Sequence, residues 1–218
     1  MFSNTQVYCD PGSSVTVLGY LAISNRSVFE GCDKMWKGIS NFGYNLTVIG
    51  QSRISDAEWA IRIGDGSKIT IMSAIFKNNI IGIQAPLTNQ KNIIYGPPGG
   101  IINSTFIREG TMKPSYPGQN SYSEASVKGI YFSHVNNLKA TNNDFIDIHE
   151  GIYATHTRVS IKENNFTSPN DLGIRGIYLQ NLITNSNKIN SYNTFDNLQS
   201  PIRVEFATLG ALEITDMA

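Results

Sequence analysis

The stretches GIYFSHVNNLKATNNDF and GIYATHTRVSIKENNF begin at Gly129 and Gly151, twenty-two residues apart. Each opens on Gly-Ile-Tyr, places a histidine four residues after the isoleucine, and closes on phenylalanine. A chain that repeats one line at a fixed interval is built by stacking copies of a short unit. The marker, a small residue followed by isoleucine, recurs at Gly38-Ile39, Ala60-Ile61, Gly82-Ile83, Gly129-Ile130, Gly151-Ile152 and Gly176-Ile177, and closes at Pro201-Ile202. The isoleucine intervals are 22, 22, 47, 22, 25 and 25. The interval of 47 holds one extra unit and a loop.

Two further markers share the period. A bulky residue stands seven before the isoleucine at Ile54, Phe76, Phe145 and Phe195. Phe106 and Phe166 have the same role, displaced by the loop at 110–127 and by the short insertion SPNDL. A third apolar position falls at Leu46, Ile69, Leu138 and Val159, and YGPPGG interrupts that series before Ile101. Each unit therefore carries three apolar segments of three to five residues. IRI, ITIM and RVSI are too short for helices and rich in strand-favouring side chains. Asn, Asp and Gly between them favour turns. The totals agree, with 28 isoleucines and 23 asparagines in 218 residues.

A four-residue strand cannot bury a core alone. Three strands that complete one triangular coil can, if the next coil lies above it at the strand spacing of about 4.8 Å. Isoleucine then covers isoleucine and phenylalanine covers phenylalanine, with the marker glycine bending the strand into its next segment. The expected fold is all-β: a right-handed parallel β-helix, three short strands per coil, coils of about 22–25 residues. One domain spans 1–218 as a segment of a longer protein, with irregular N-terminal coils over 1–35 and a protruding loop over 110–127.

Formal charge is zero, from 17 basic and 17 acidic residues. That balance argues against nucleic acid, which requires a concentrated basic footprint. No apolar run reaches 18 residues, so no membrane insertion is expected. The opening MFSNTQVYCD lacks the features of a signal peptide, so export would rely on a signal outside this stretch or already removed. Cys9 and Cys32 either pair or stay packed as thiols; no zinc-ligand spacing surrounds them. Open coil ends leave the oligomeric state undecided.

CDKMWKGI and GSKITIMSAIFKNNIIGI resemble β-helix segments of large exported proteins from Bacteroidetes, and the chain as a whole resembles the right-handed parallel β-helix, pectate-lyase-like superfamily. That resemblance implies a secreted or cell-surface location. It implies either a non-catalytic scaffold contacting glycan or, as the alternative, a polysaccharide lyase or glycoside hydrolase. Polysaccharide is the partner it suggests, and calcium the cofactor only under the lyase alternative.

In a strand that buries its isoleucine the next residue points outward. That places Tyr131, Tyr153, Tyr178 and Arg203 in one exposed column, read as a flat aromatic strip for sugar rings or as plain ladder packing. Two positions before the isoleucine stand Lys128, Glu150 and Arg175, which make a salt ladder or grip a carboxylate-bearing sugar. His134 and His156 align four positions after it and are counted with the ligand-binding face, though they are too few ligands for a metal. Asp147, His149, Glu150 and Arg175 are the set an enzyme would use. Asn78 and Asn197 replace Asp147 in other units and no glycosidase acid pair stands out, so DIHEG reads more simply as a solvated turn. Asp171 is one of several scattered, turn-like acids.

Overall fold

The repeat stacks as its spacing demands. In the computed structural model of the protein, Val15, Ile39, Ile61, Ile83, Ile130, Ile152, Ile177 and Ile202 follow one another in register across eight parallel strands. The six from Ile39 to Ile177 are fully buried. The structure describes residues 1–86, 91–119, 122–123, 127–170, 172–173, 175–182, 187–189, 192–205 and 212–214. Asp171, parts of the 110–127 loop and residues 206–211 lie outside the described residues.

Every element among the described residues is a strand, and all strand pairs are parallel. They form three sheets of eight, eight and ten strands. Eight rungs in a sheet correspond to seven full turns from first to last. The tyrosine sheet carries the Gly-Ile marker and includes Lys128–Ser133, Glu150–Thr155 and Arg175–Gln180. The phenylalanine sheet includes Thr105–Ile107, Asp144–Ile146 and Asn165–Thr167. The third sheet includes Asn45–Ile49, Lys68–Met72 and Leu138–Thr141. Residues 1–35 are less irregular than expected, since Phe2–Ser3, Gln6–Cys9 and Ser14–Val17 open all three sheets in register.

The phenylalanine column forms a continuous stack. Phe76, Phe106, Phe145, Phe166 and Phe195 lie face to face with centroids 4.7–5.1 Å apart and planes within 13°. Strand spacing sets the separation, and the rings shield each other from water as well as from the core below. The expected glycine bend is not found at Gly129 and Gly151, whose φ angles lie outside the left-handed region. Their smallness has a steric cause. A Cβ on Gly129 would come within 2.6 Å of the Phe145 ring, and one on Gly151 within 2.6 Å of the Phe166 ring.

All three turns of a coil such as 134–155 place a residue in the left-handed region, at His134, Asn142 and Asp147, where Asn, Asp and His are tolerated better than most. Asn103, Asn142 and Glu163 have φ of 50–57° between the third and phenylalanine sheets. The following residue points inward. Asn143 Oδ1 accepts the Ser104 N–H at 2.9 Å, Asn164 Oδ1 accepts the Asn143 N–H at 3.0 Å, and Asn193 Oδ1 accepts the Asn164 N–H at 2.9 Å. Each amide thereby satisfies a buried N–H that the bend has removed from sheet pairing.

YGPPGG is an insertion within the third sheet. Ile94–Tyr95 and Ile101–Ile102 on either side of it both pair with Lys68–Met72. The 110–127 loop, in its described part, lies back on the solenoid instead of protruding. Pro114 O accepts the Met35 N–H at 2.9 Å, and Lys113 Nζ reaches Asp56 Oδ2 at 3.1 Å. The Tyr116 hydroxyl donates to Glu58, and Met112 and Tyr116 are buried. Cys9 and Cys32 are free thiols on adjacent coils, and burial pushes Cys9 up to about 12.

Candidate functional site: the outer face of the tyrosine sheet

Register brings most of the expected residues onto one face. Tyr131 pairs with Tyr153, Tyr153 with Tyr178, and Tyr178 with Arg203. The rings do not form a flat strip. Tyr131 and Tyr153 are 5.2 Å apart at 54°, and Tyr153 and Tyr178 are 4.9 Å apart at 76°. The Tyr153–Tyr178 pair meets edge to face, an arrangement the ring quadrupole favours, and the Tyr131–Tyr153 pair is tilted. The column is half-buried and corrugated. Period fixes which residues share a column but not the torsion of their rings, so this was not visible in the sequence.

The charged column runs beside it. Glu150, 5% exposed at its side chain, receives Lys128 on one oxygen and Arg175 on the other. The three groups form the salt ladder the alternating signs suggest. Lys128 Nζ also lies 5.3 Å from the Tyr153 ring centre, and the Arg175 and Arg203 guanidinium groups lie 5.0 and 5.3 Å from that of Tyr178. A cation over an aromatic face is attracted by the ring quadrupole.

Glu205 completes the face and was not foreseen. Alternation along Ser200–Glu205 could have shown it, since it pairs with Gln180 on the outer side. Its carboxylate accepts the Tyr178 hydroxyl at 2.6 Å and Arg203 Nε at 2.6 Å. These two donors hold Glu205 below the usual carboxylate range, Tyr178 first. The same bond, with burial, pushes Tyr178 up to about 12. Tyr153 donates to Gln180 Oε1 at 3.0 Å.

Of the residues an enzyme would use, Glu150 and Arg175 meet in an ion pair, while Asp147 is engaged elsewhere. Asp147 is 1% exposed and left-handed at φ 53°. It is a turn, as expected, but not a solvated one. Its carboxylate accepts the Asn170 N–H at 3.0 Å, the Asn170 amide at 2.6 Å and the Ser168 hydroxyl at 3.2 Å. In the equivalent turns, Asn78 donates to the Glu109 carbonyl and accepts the Glu109 N–H, and Asn197 donates to the Ser168 carbonyl. Asp56 holds Lys113. These turn residues fasten the two insertions to the solenoid. Glu150 is held by its two cations, and the His149 carbonyl accepts the Arg175 N–H at 2.9 Å. Among the described residues, no three His, Cys, Asp or Glu side chains group as metal ligands would.

His134 and His156 stack at 4.4 Å and 11° at the far end of the face. Ser133 Oγ lies 2.9 Å from His134 Nδ1 and Thr155 Oγ1 lies 3.0 Å from His156 Nδ1. Lys91 packs below, its N–H bonded to the His134 carbonyl at 2.7 Å. Burial, then His156, then Lys91 lower the pKa of His134. A group whose folded pKa is depressed is protonated first in the unfolded chain, so stability is present above the unfolded value and lost below it. The urea midpoint should fall as pH drops from 7.5 to 5.5, through the ordinary imidazole pKa of about 6.5. His134→Asn, which suits the left-handed backbone, should flatten that profile. An equal pH slope in both proteins would show that the pair has no part in it.

No family model, curated protein or solved structure matches this chain.

Proposed function

We propose that the protein is a non-catalytic β-helix scaffold that contacts glycan along the tyrosine sheet, as part of an exported or cell-surface protein. The observation that carries this reading is the in-register face of Tyr131, Tyr153, Tyr178 and Arg203 beside Lys128, Glu150 and Arg175. Such a face offers aromatic C–H contact and charged hydrogen-bonding groups along a line that a polymer can follow. The resemblance to pectate-lyase-like β-helices and to exported Bacteroidetes segments points the same way. It also supplies the rival, a polysaccharide lyase or hydrolase. That rival would have to draw Asp147 and Glu150 out of bonds they already make.

A broad glycan screen with and without calcium, scoring both retention and cleavage products, separates the two. Retention without cleavage is expected, with Tyr153→Ala lowering affinity about tenfold, the effect of removing one aromatic contact worth roughly 1.4 kcal/mol. Calcium-dependent cleavage would establish the rival. Unchanged retention of Tyr153→Ala would remove the tyrosine face from the account.

A further inference from the structure

We propose a second saccharide-binding groove on the opposite part of the coil, over the third sheet near its N-terminal end. It rests on the reading of the protein as a glycan-contacting module. Its floor is the outer face of three successive rungs. Tyr20 pairs with Asn45 and Asn45 with Lys68, while Thr47 pairs with Thr70 in the next column. The YGPPGG insertion forms its wall through Gly96 and Pro97. The Gly96 N–H bonds the Ile69 carbonyl at 2.8 Å, which holds the wall against the sheet. A Cβ on Gly96 would lie 2.2 Å from Thr70 Oγ1, so only glycine lets the wall approach the floor this closely.

Two features distinguish this groove from the tyrosine face. The first is that its polar groups are available. Among the described residues, no hydrogen bond or ion pair engages the side chains of Tyr20, Asn45, Thr47, Lys68 or Thr70. On the tyrosine face, Lys128, Arg175, Tyr153, Tyr178 and Arg203 are all engaged with neighbours. The second is an exposed aromatic plate. Tyr20, which lines the groove, is 64% exposed. A concave surface with one apolar plate and a few fixed donors and acceptors is the make-up of a small-molecule site.

The chemistry selects a saccharide. The C–H face of a sugar ring covers Tyr20, and its hydroxyls bond the Asn45 amide, the two threonine hydroxyls and the Lys68 ammonium. The floor repeats at strand spacing, about 10 Å from the Tyr20 rung to the Lys68 rung. A short segment therefore runs across the strands, along the solenoid axis. Lys68 is the one charged lining residue, so a carboxylated or sulfated chain binds more tightly than a neutral chain of the same backbone.

The test is titration calorimetry of the full chain with neutral, carboxylated and sulfated oligosaccharides. The protein is made in a bacterial host, because Asn45-Leu46-Thr47 is an acceptor for N-glycosylation and a glycan there would fill the groove. Two binding steps are expected: Tyr20→Ala and Lys68→Ala, both on the surface, should each weaken one step about tenfold, and Tyr153→Ala should weaken only the other. Loss confined to Tyr153→Ala would overturn the groove and leave the tyrosine-face reading standing. Loss confined to the Tyr20 and Lys68 variants would do the reverse. Absence of binding by every saccharide would overturn both.

Discussion

Phe145→Ala should cost about 3–5 kcal/mol, the range for deleting a fully buried aromatic ring. Phe145 lies between Phe106 and Phe166 in the stack, 4.8 and 4.7 Å from each, and is 2% exposed. Its ring also fills the space over Gly129. Neither neighbour can collapse into the hole without leaving its own rung, so the cavity persists. In a chain of this length such a loss corresponds to roughly 10 °C in melting temperature. Phe145→Leu, which keeps most of the volume and loses the stacking, should cost under about 2 kcal/mol. Thermal and urea unfolding of the two variants check this. Equal, small losses would mean that the rings do not carry the core.

The second large effect is expected at Glu150. Its side chain is 5% exposed and holds two cations whose own side chains are 20% and 23% exposed. Glu150→Ala leaves Lys128 and Arg175 facing each other half-desolvated, at a cost of about 2–4 kcal/mol, somewhat below that of breaking a fully buried pair. The sign should change when all three charges go together. Lys128→Met, Glu150→Leu and Arg175→Met combined should be close to neutral, because no unpaired charge remains and apolar packing replaces the ladder. A triple variant as unstable as Glu150→Ala would show that the ladder contributes more than charge compensation.

The backbone of the fold was legible because the same side chain returns at the same phase of each coil. Isoleucine and phenylalanine give their column by interval alone, and even the displaced Phe106 and Phe166 stand in register. Alternation then identified the outward column of Tyr131, Tyr153 and Tyr178 and the salt ladder beside it. Interval says nothing of side-chain torsion, so the strip expected to be flat is corrugated. It also says nothing of where an insertion travels. Asp147 could not be recognised as a clamp because its partners Ser168 and Asn170 belong to the SPNDL insertion. The 110–127 loop could not be seen lying on Met35 and Glu58, which are far away in sequence. Glycine was read for its flexibility, whereas Gly129 and Gly151 are small because a phenylalanine ring covers them. The groove at Tyr20 and Lys68 stacks unlike residues, Tyr20 on Asn45 on Lys68, and therefore left no repeated side chain to notice.

The stacked register itself is tested most directly by cross-linking two rungs. Asp144 and Asn165 are partners on the outer side of the phenylalanine sheet, their side chains 3.4 Å apart. With Cys9 and Cys32 replaced by serine, Asp144→Cys with Asn165→Cys places two thiols one strand spacing apart, about 4.8 Å between Cα atoms and within disulfide range. Asp144→Cys with Thr167→Cys shifts the partner by two residues, to about 8 Å, beyond it. Under mild oxidation, the first pair should form the bond quantitatively in the folded protein and the second should not, as read by peptide mass mapping. Bond formation in the shifted pair alone would contradict the account.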